Sequence, residues 1–157
     1  MTMRTFFFAA LAAFAGLSAC QNNSSQSQAT GVAASIQDSI VIRIWPAEVD
    51  SLRQIDPNIP MIDVRTELEF KTSHIYRAIN CDHLAPDFEQ RIVKLGTNTP
   101  VIVYDMSGVQ SLVAAEKMRN LGFKRVYELA GGISKWVADG RALVSGEGKM
   151  DASTILR

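Results

Sequence analysis

Tyr104-Asp105-Met106-Ser107-Gly108-Val109-Gln110-Ser111 places an acid, three hydroxyls, an amide and a glycine in one short segment. It follows the apolar, β-branched run Val101-Ile102-Val103-Tyr104 and opens a helical stretch from Ser111 to Leu121, so the spacing predicts a strand-to-helix turn. Such turns gather unpaired backbone N–H groups, and a glycine lets the backbone curl around a negative charge. Asp105, Met106, Ser107, Gly108, Val109 and Gln110 are therefore read as an anion cradle. The Asp105 carboxylate can fold back onto the N–H groups of its own loop, and those hydrogen bonds would favour its ionised form. As a nucleophile or general base it lacks an activating neighbour in sequence, because Gln110 carries no charge and the loop contains no Lys, Arg or His.

Cys81 is the other candidate nucleophile, with the imidazole of His83 two residues away. Its place at the end of the apolar run Ala78-Ile79-Asn80 reads first as that of a small buried hydrophobe. His74, Cys81, Asp82 and His83 include metal-ligand types without the paired spacing of a zinc motif, so no metal is expected, and no pattern calls for a cofactor.

The loop resembles the active loop of rhodanese-like sulfurtransferase domains. Ile62-Asp63-Val64-Arg65, Glu69-Phe70, His74-Ile75, Ala78-Ile79-Asn80 and Gly131-Gly132-Ile133-Ser134-Lys135-Trp136 fall in that family's order at similar spacings, together covering roughly residues 40 to 145. The resemblance implies an α/β domain in which Asp105 stands at the position of a persulfide-forming cysteine, with Gln110 where many active members carry arginine. It also implies that Asp63, Arg65 and Glu69 hold the fold together near the site by ion pairing. Tyr76 and Arg77 replace the smaller residues usual in the family at the turn after His74-Ile75.

The 157 residues suit one well-buried core. Lys plus Arg equals Asp plus Glu, 16 against 16, with no basic run, which argues against nucleic acid. Arg4, the apolar stretch Phe6 to Gly16 and Leu17-Ser18-Ala19-Cys20 read as a secretory signal over residues 1–19. The last four residues resemble a bacterial lipobox, which would make Cys20 the lipidated mature N-terminus. Residues 20–38, rich in Gln, Asn, Ser and Ala, read as a flexible tether, 39–146 as the domain and 147–157 as a C-terminal tail. Gln21 after the cysteine resembles lipoproteins sorted to the outer membrane. With Cys20 acylated, Cys81 is the one remaining thiol, so no internal disulfide is expected.

Strand-like runs at Ile40 to Ile44, Met61 to Val64, Ala78 to Cys81, Val101 to Tyr104 and Val126-Tyr127 alternate with helical ones. The helices begin at Pro46, at the capping box Thr66 to Glu69, at Pro86 (running to Leu95 with Phe88, Ile92 and Leu95 inward), at Ser111 (with Leu112, Ala115, Met118 and Leu121 buried) and at Gly132 (running to Asp139). This alternation predicts a single α/β domain whose parallel sheet is covered by helices on both faces, with Asp105 at the carboxyl end of a strand, where ligands bind. The expected function is a membrane-anchored binding or scaffolding module without catalysis, partnered in the envelope by the membrane and a protein. The alternative is a sulfurtransferase or hydrolase using Cys81 or Asp105.

Overall fold

The computed structural model describes residues 40–146; the expectations for the signal, Cys20, the tether and the tail lie outside them. Five strands, β1 (Ile40–Ile44), β2 (Met61–Asp63), β3 (Ala78–Asn80), β4 (Val101–Tyr104) and β5 (Arg125–Leu129), form one sheet in the order β1-β5-β4-β2-β3. Every pairing is parallel. The helices are α1 (Pro46–Ile55), α2 (Glu67–Thr72), α3 (Phe88–Ile92, continued by a 3-10 turn over Val93–Leu95), α4 (Gln110–Asn120) and α5 (Gly132–Ala138).

Alternation along β4 separates two apolar layers. Val101 and Val103 pack with Phe88, Ile92, Ala114, Ala115 and Met118 beneath α3 and α4. Ile102 and Tyr104 pack with Val49, Phe70, Ile133 and Trp136 on the opposite face, beneath α1, α2 and α5. A strand buried on both sides has no room for polar alternation, hence its continuous apolar run.

Three expectations need correction. The helix expected from Pro86 to Leu95 is regular over Phe88–Ile92 alone and tightens into the 3-10 turn before Gly96. Strand β5 is longer than Val126-Tyr127, because all five of its residues pair with β1, Ile40 with Arg125 through Ile44 with Leu129. The buried side of α4 is Ser111, Ala114, Ala115 and Met118, with Leu112 and Leu121 half-buried. Two alanines let the helix lie close to the sheet, and that rotation turns Ser111 inward.

Chain direction also sorts charge. Each helix between parallel strands must return the chain to the amino end of the sheet. In α1, α2 and α3 the acidic residues Glu48, Glu67, Glu69 and Glu89 stand in first turns, and the basic residues Arg53, Lys71 and Arg91 in last turns. This complements each helix dipole. It also puts these four acids toward the carboxyl end of the sheet, where Asp105 lies, and these three bases toward the amino end.

Candidate functional site

The Asp105 loop joins β4 to α4 and is fixed from two sides. Gly108, at φ +86°, puts no side chain toward its neighbours; a Cβ there would meet Gly131 N at 2.8 Å and Glu128 Oε1 at 3.0 Å. Gly132, at φ +54°, lets the start of α5 press on the loop, where a Cβ would lie 2.8 Å from the Met106 carbonyl oxygen and collide with that of Asp105. The Ile133 and Ser134 N–H groups donate to the carbonyls of Asp105 and Met106, each at 3.0 Å. The N-terminal donors of α5 thus hold the loop backbone and leave the loop's own N–H groups to face inward.

Those donors meet the Asp105 carboxylate, which is buried. Oδ1 accepts from the Gly108 N–H, Oδ2 from the Gln110 N–H at 3.1 Å, and the Ser111 hydroxyl lies 3.0 Å from Oδ1. Burial pushes the carboxyl up. The bonds from Gly108, Gln110, Ser111 and Ser107 together outweigh it and hold the group below its ordinary range. Met106, Ser107 and Val109 point outward around this filled centre.

Two charged residues that the sequence reading missed lie under the loop. Arg43 and Glu128 are register partners on β1 and β5. Arg43 Nε donates to Glu128 Oε2 at 2.8 Å, with the arginine side chain 55 % exposed and the glutamate fully buried. Glu128 Oε1 lies 2.8 Å from Ser111 Oγ, so a chain of contacts runs Arg43–Glu128–Ser111–Asp105. A guanidinium therefore stands beside a loop that carries no cation of its own, with an Nη2 3.3 Å from the place a Gly108 Cβ would occupy.

Gln110 turns its side chain the other way, its Oε1 3.3 Å from His83 Nε2. His83 Nδ1 is buried without a hydrogen-bond partner, and the His83 carbonyl accepts from Lys117 Nζ at 3.0 Å. Cys81 is fully buried on the α3–α4 face, and burial pushes its thiol up to about 11. Neither exposure nor thiolate character supports it as a nucleophile.

Asp63 and Arg65 form a buried pair with Nη2 to Oδ2 at 2.6 Å, and Arg65 Nη2 also donates to the Ser73 carbonyl at 2.7 Å. The Asn80 amide donates to the carbonyls of Asp63 and Arg65. These bonds fix the turn leaving β2. Glu69 lies close enough for its charge to favour the Arg65 cation, and its carboxylate also accepts from the Thr66 hydroxyl at 2.6 Å and the Thr66 N–H at 3.2 Å, closing the capping box of α2. His74 stacks on Phe70 at 3.8 Å and does not face the loop. No group of three or more His, Cys, Asp or Glu among the described residues could hold a metal ion.

This architecture and loop have known counterparts. Residues 46–139 match the family described as Rhodanese-like domain, and the chain belongs to that family. It is 37% identical over 76 residues to the uncharacterized protein YqhL of Bacillus subtilis, covering 48% of this chain and 59% of that protein. It is 30% identical over 95 residues to the thiosulfate sulfurtransferase GlpE of Tolumonas auensis, covering 60% of this chain and 86% of that one. Among solved structures, the rhodanese-like domain of Alr3790 from Anabaena superposes with a TM-score of 0.58 at 26% identity, over 70% of this chain and 81% of that one. The polysulfide-sulfur transferase of Wolinella succinogenes superposes with a TM-score of 0.55 at 26% identity, over 74% and 85%.

Proposed function

We propose that this chain is a membrane-anchored rhodanese-like domain without sulfurtransferase activity, serving as a binding or scaffolding module in the bacterial envelope. The observation that carries this reading is the Asp105 carboxylate accepting the loop's own N–H groups. In the family these donors face a thiolate or persulfide, and here they are taken by a fixed anion that cannot accept a sulfur atom and repels an anionic donor. With its interior charge already in place, the loop has one shape to present. Its exposed Met106 and Val109 would meet a protein partner without waiting for a substrate.

Anchoring rests on Leu17-Ser18-Ala19-Cys20 and on residues 20–38 as tether. No helix among the described residues is long and apolar enough to cross a membrane. The acyl chains on Cys20 would be the attachment, with the outer membrane suggested by Gln21.

The names of the relatives favour the second reading, a sulfurtransferase. It would need Cys81, whose burial and raised pKa oppose it. A thiosulfate-to-cyanide assay on the purified protein decides between them. No turnover above the uncatalysed rate is expected, and turnover that disappears in Cys81→Ser would establish the sulfurtransferase instead.

A further inference from the structure

The end of the sheet opposite the Asp105 loop has a character of its own. The described chain enters there at Ile40, the first residue of β1. Because all strands are parallel, the starts of β2, β3 and β5 and the end of α1 gather at the same end. They bring Arg53, Arg77 and Arg125 to the same end of the sheet, with Ile55 83 % exposed and Tyr76 64 % exposed. Two acids lie nearby: the Asp56 carboxylate accepts from the Asn58 N–H at 3.0 Å, and Asp50, one turn before Arg53 on α1, pairs with Arg141 at 2.6 Å. Arg53 and Arg77 lie close enough that, after burial, the charge of Arg77 is the main influence lowering the pKa of Arg53.

Arg77 is also the single non-glycine residue with positive φ among the described residues, at +65°. A long side chain in the left-handed region costs about 1–2 kcal/mol, which glycine would avoid. Its guanidinium spreads outward along the surface, to the Pro57 carbonyl at 3.2 Å and Asn58 Oδ1 at 3.1 Å, and neutralises no carboxylate there. The turn thus keeps a cation beside an exposed tyrosine at a backbone cost.

We infer that this basic, aromatic-edged end of the sheet is a second interaction surface, resting on anionic phospholipid headgroups and turning the Asp105 loop away from the membrane. Arginines meet headgroup phosphates, while Tyr76 and Ile55 suit the boundary between headgroup and acyl chain. The direction of approach rests on the anchored reading above. Residues 21–39 separate Cys20 from Ile40, and a weak surface contact becomes an occupied one once an anchor on Cys20 holds the domain nearby.

The test uses the full chain purified from membranes, mixed with vesicles of phosphatidylcholine alone or with phosphatidylglycerol added, and read by flotation and by amide hydrogen exchange. Flotation with both vesicle types is expected. On the anionic vesicles alone, slower exchange is expected at residues 53–58 and 76–78, unchanged exchange at 105–110, and reversal by high salt. The double variant Arg77→Gly with Arg125→Gln should lose the protection, each arginine being worth about fivefold in binding to such a surface. Arg77→Gly relieves the left-handed strain, and an undiminished thermal unfolding midpoint of the double variant shows that the loss does not come from unfolding. Flotation with both vesicle types and identical exchange, or protection over 105–110 instead, would overturn the inference while leaving the anchor standing. Flotation with anionic vesicles only, with the same protection, would keep the surface and remove the anchor. Flotation with neither would remove both.

Discussion

Asp105 and Glu128, two buried carboxylates brought together from the loop and from β5, face each other across one hydroxyl: Ser111 Oγ lies 3.0 Å from the first and 2.8 Å from the second. A hydroxyl has one hydrogen and can donate to only one of them at a time. Arg43, on the far side of Glu128, supplies the cation that makes the arrangement tolerable. Ser111→Ala should therefore cost about 1–3 kcal/mol, the usual penalty for stripping a buried acceptor of its donor. Adding Glu128→Gln should recover part of the loss by removing one of the two negative charges. Urea unfolding of the single and double variants measures this. A neutral Ser111→Ala would mean that the bridge contributes nothing.

The depressed pKa of Asp105 gives the stability a direction with pH. A carboxyl held below its unfolded value, about 3.9, contributes stability that is fully present above that value and is lost as pH falls through the folded value. In Asp105→Asn the amide oxygen can still accept from one N–H, but the NH2 group is set against another donor. The variant should be less stable than wild type at pH 7, by about 1–3 kcal/mol. That gap should narrow as pH drops below about 4. Unfolding midpoints measured from pH 7 to pH 3 check it, and a gap independent of pH would contradict the ionised, hydrogen-bonded carboxylate.

Much of this was legible in the sequence. The β-branched run before Asp105, the glycine three residues on and the following helix identify the loop and its N–H donors from local chemistry alone. Arg43 and Glu128 were not legible, because they lie 85 residues apart and meet only through the register of β1 on β5. No local periodicity encodes that pairing. The rotation of α4 was misjudged for a related reason: Leu112 looks more buried than Ser111 until Glu128 is known to lie beneath the first turn. The capping box of Thr66 and Glu69 was legible, because both partners lie within a single turn.

Arg77 offers a test of backbone strain separate from the loop. Arg77→Gly should raise stability by about 1 kcal/mol, because glycine takes φ +65° without the Cβ penalty. Both variants lose the surface bonds to Pro57 and Asn58, but Arg77→Ala also keeps the penalty and should not gain. Thermal unfolding separates the pair, with about 4–8 °C expected per kcal/mol for a domain of this size. Equal effects would mean that the turn is not strained.

Cys20→Ser should remove the acyl anchor. Fractionation of cells should then find the variant in the soluble fraction, and mass spectrometry should find no acyl groups on it. A variant that stays with membranes at the wild-type mass would rule out lipidation at Cys20.

The central claim, that Asp105 occupies a cradle built for an anion, is tested most directly by putting a thiol in its place and titrating its alkylation rate against pH. Cys81 in the same molecule is the internal reference, buried and pushed up to about 11. In Asp105→Cys the donors from Gly108, Gln110 and Ser111 should stabilise the thiolate, so alkylation should follow a pKa below the ordinary cysteine value of about 8.5. Adding Gln110→Arg should lower it further and bring some sulfur transfer. A thiol at position 105 that titrates at or above the ordinary value would show that the loop no longer favours a negative charge, and the account of Asp105 as the anion it holds would fail.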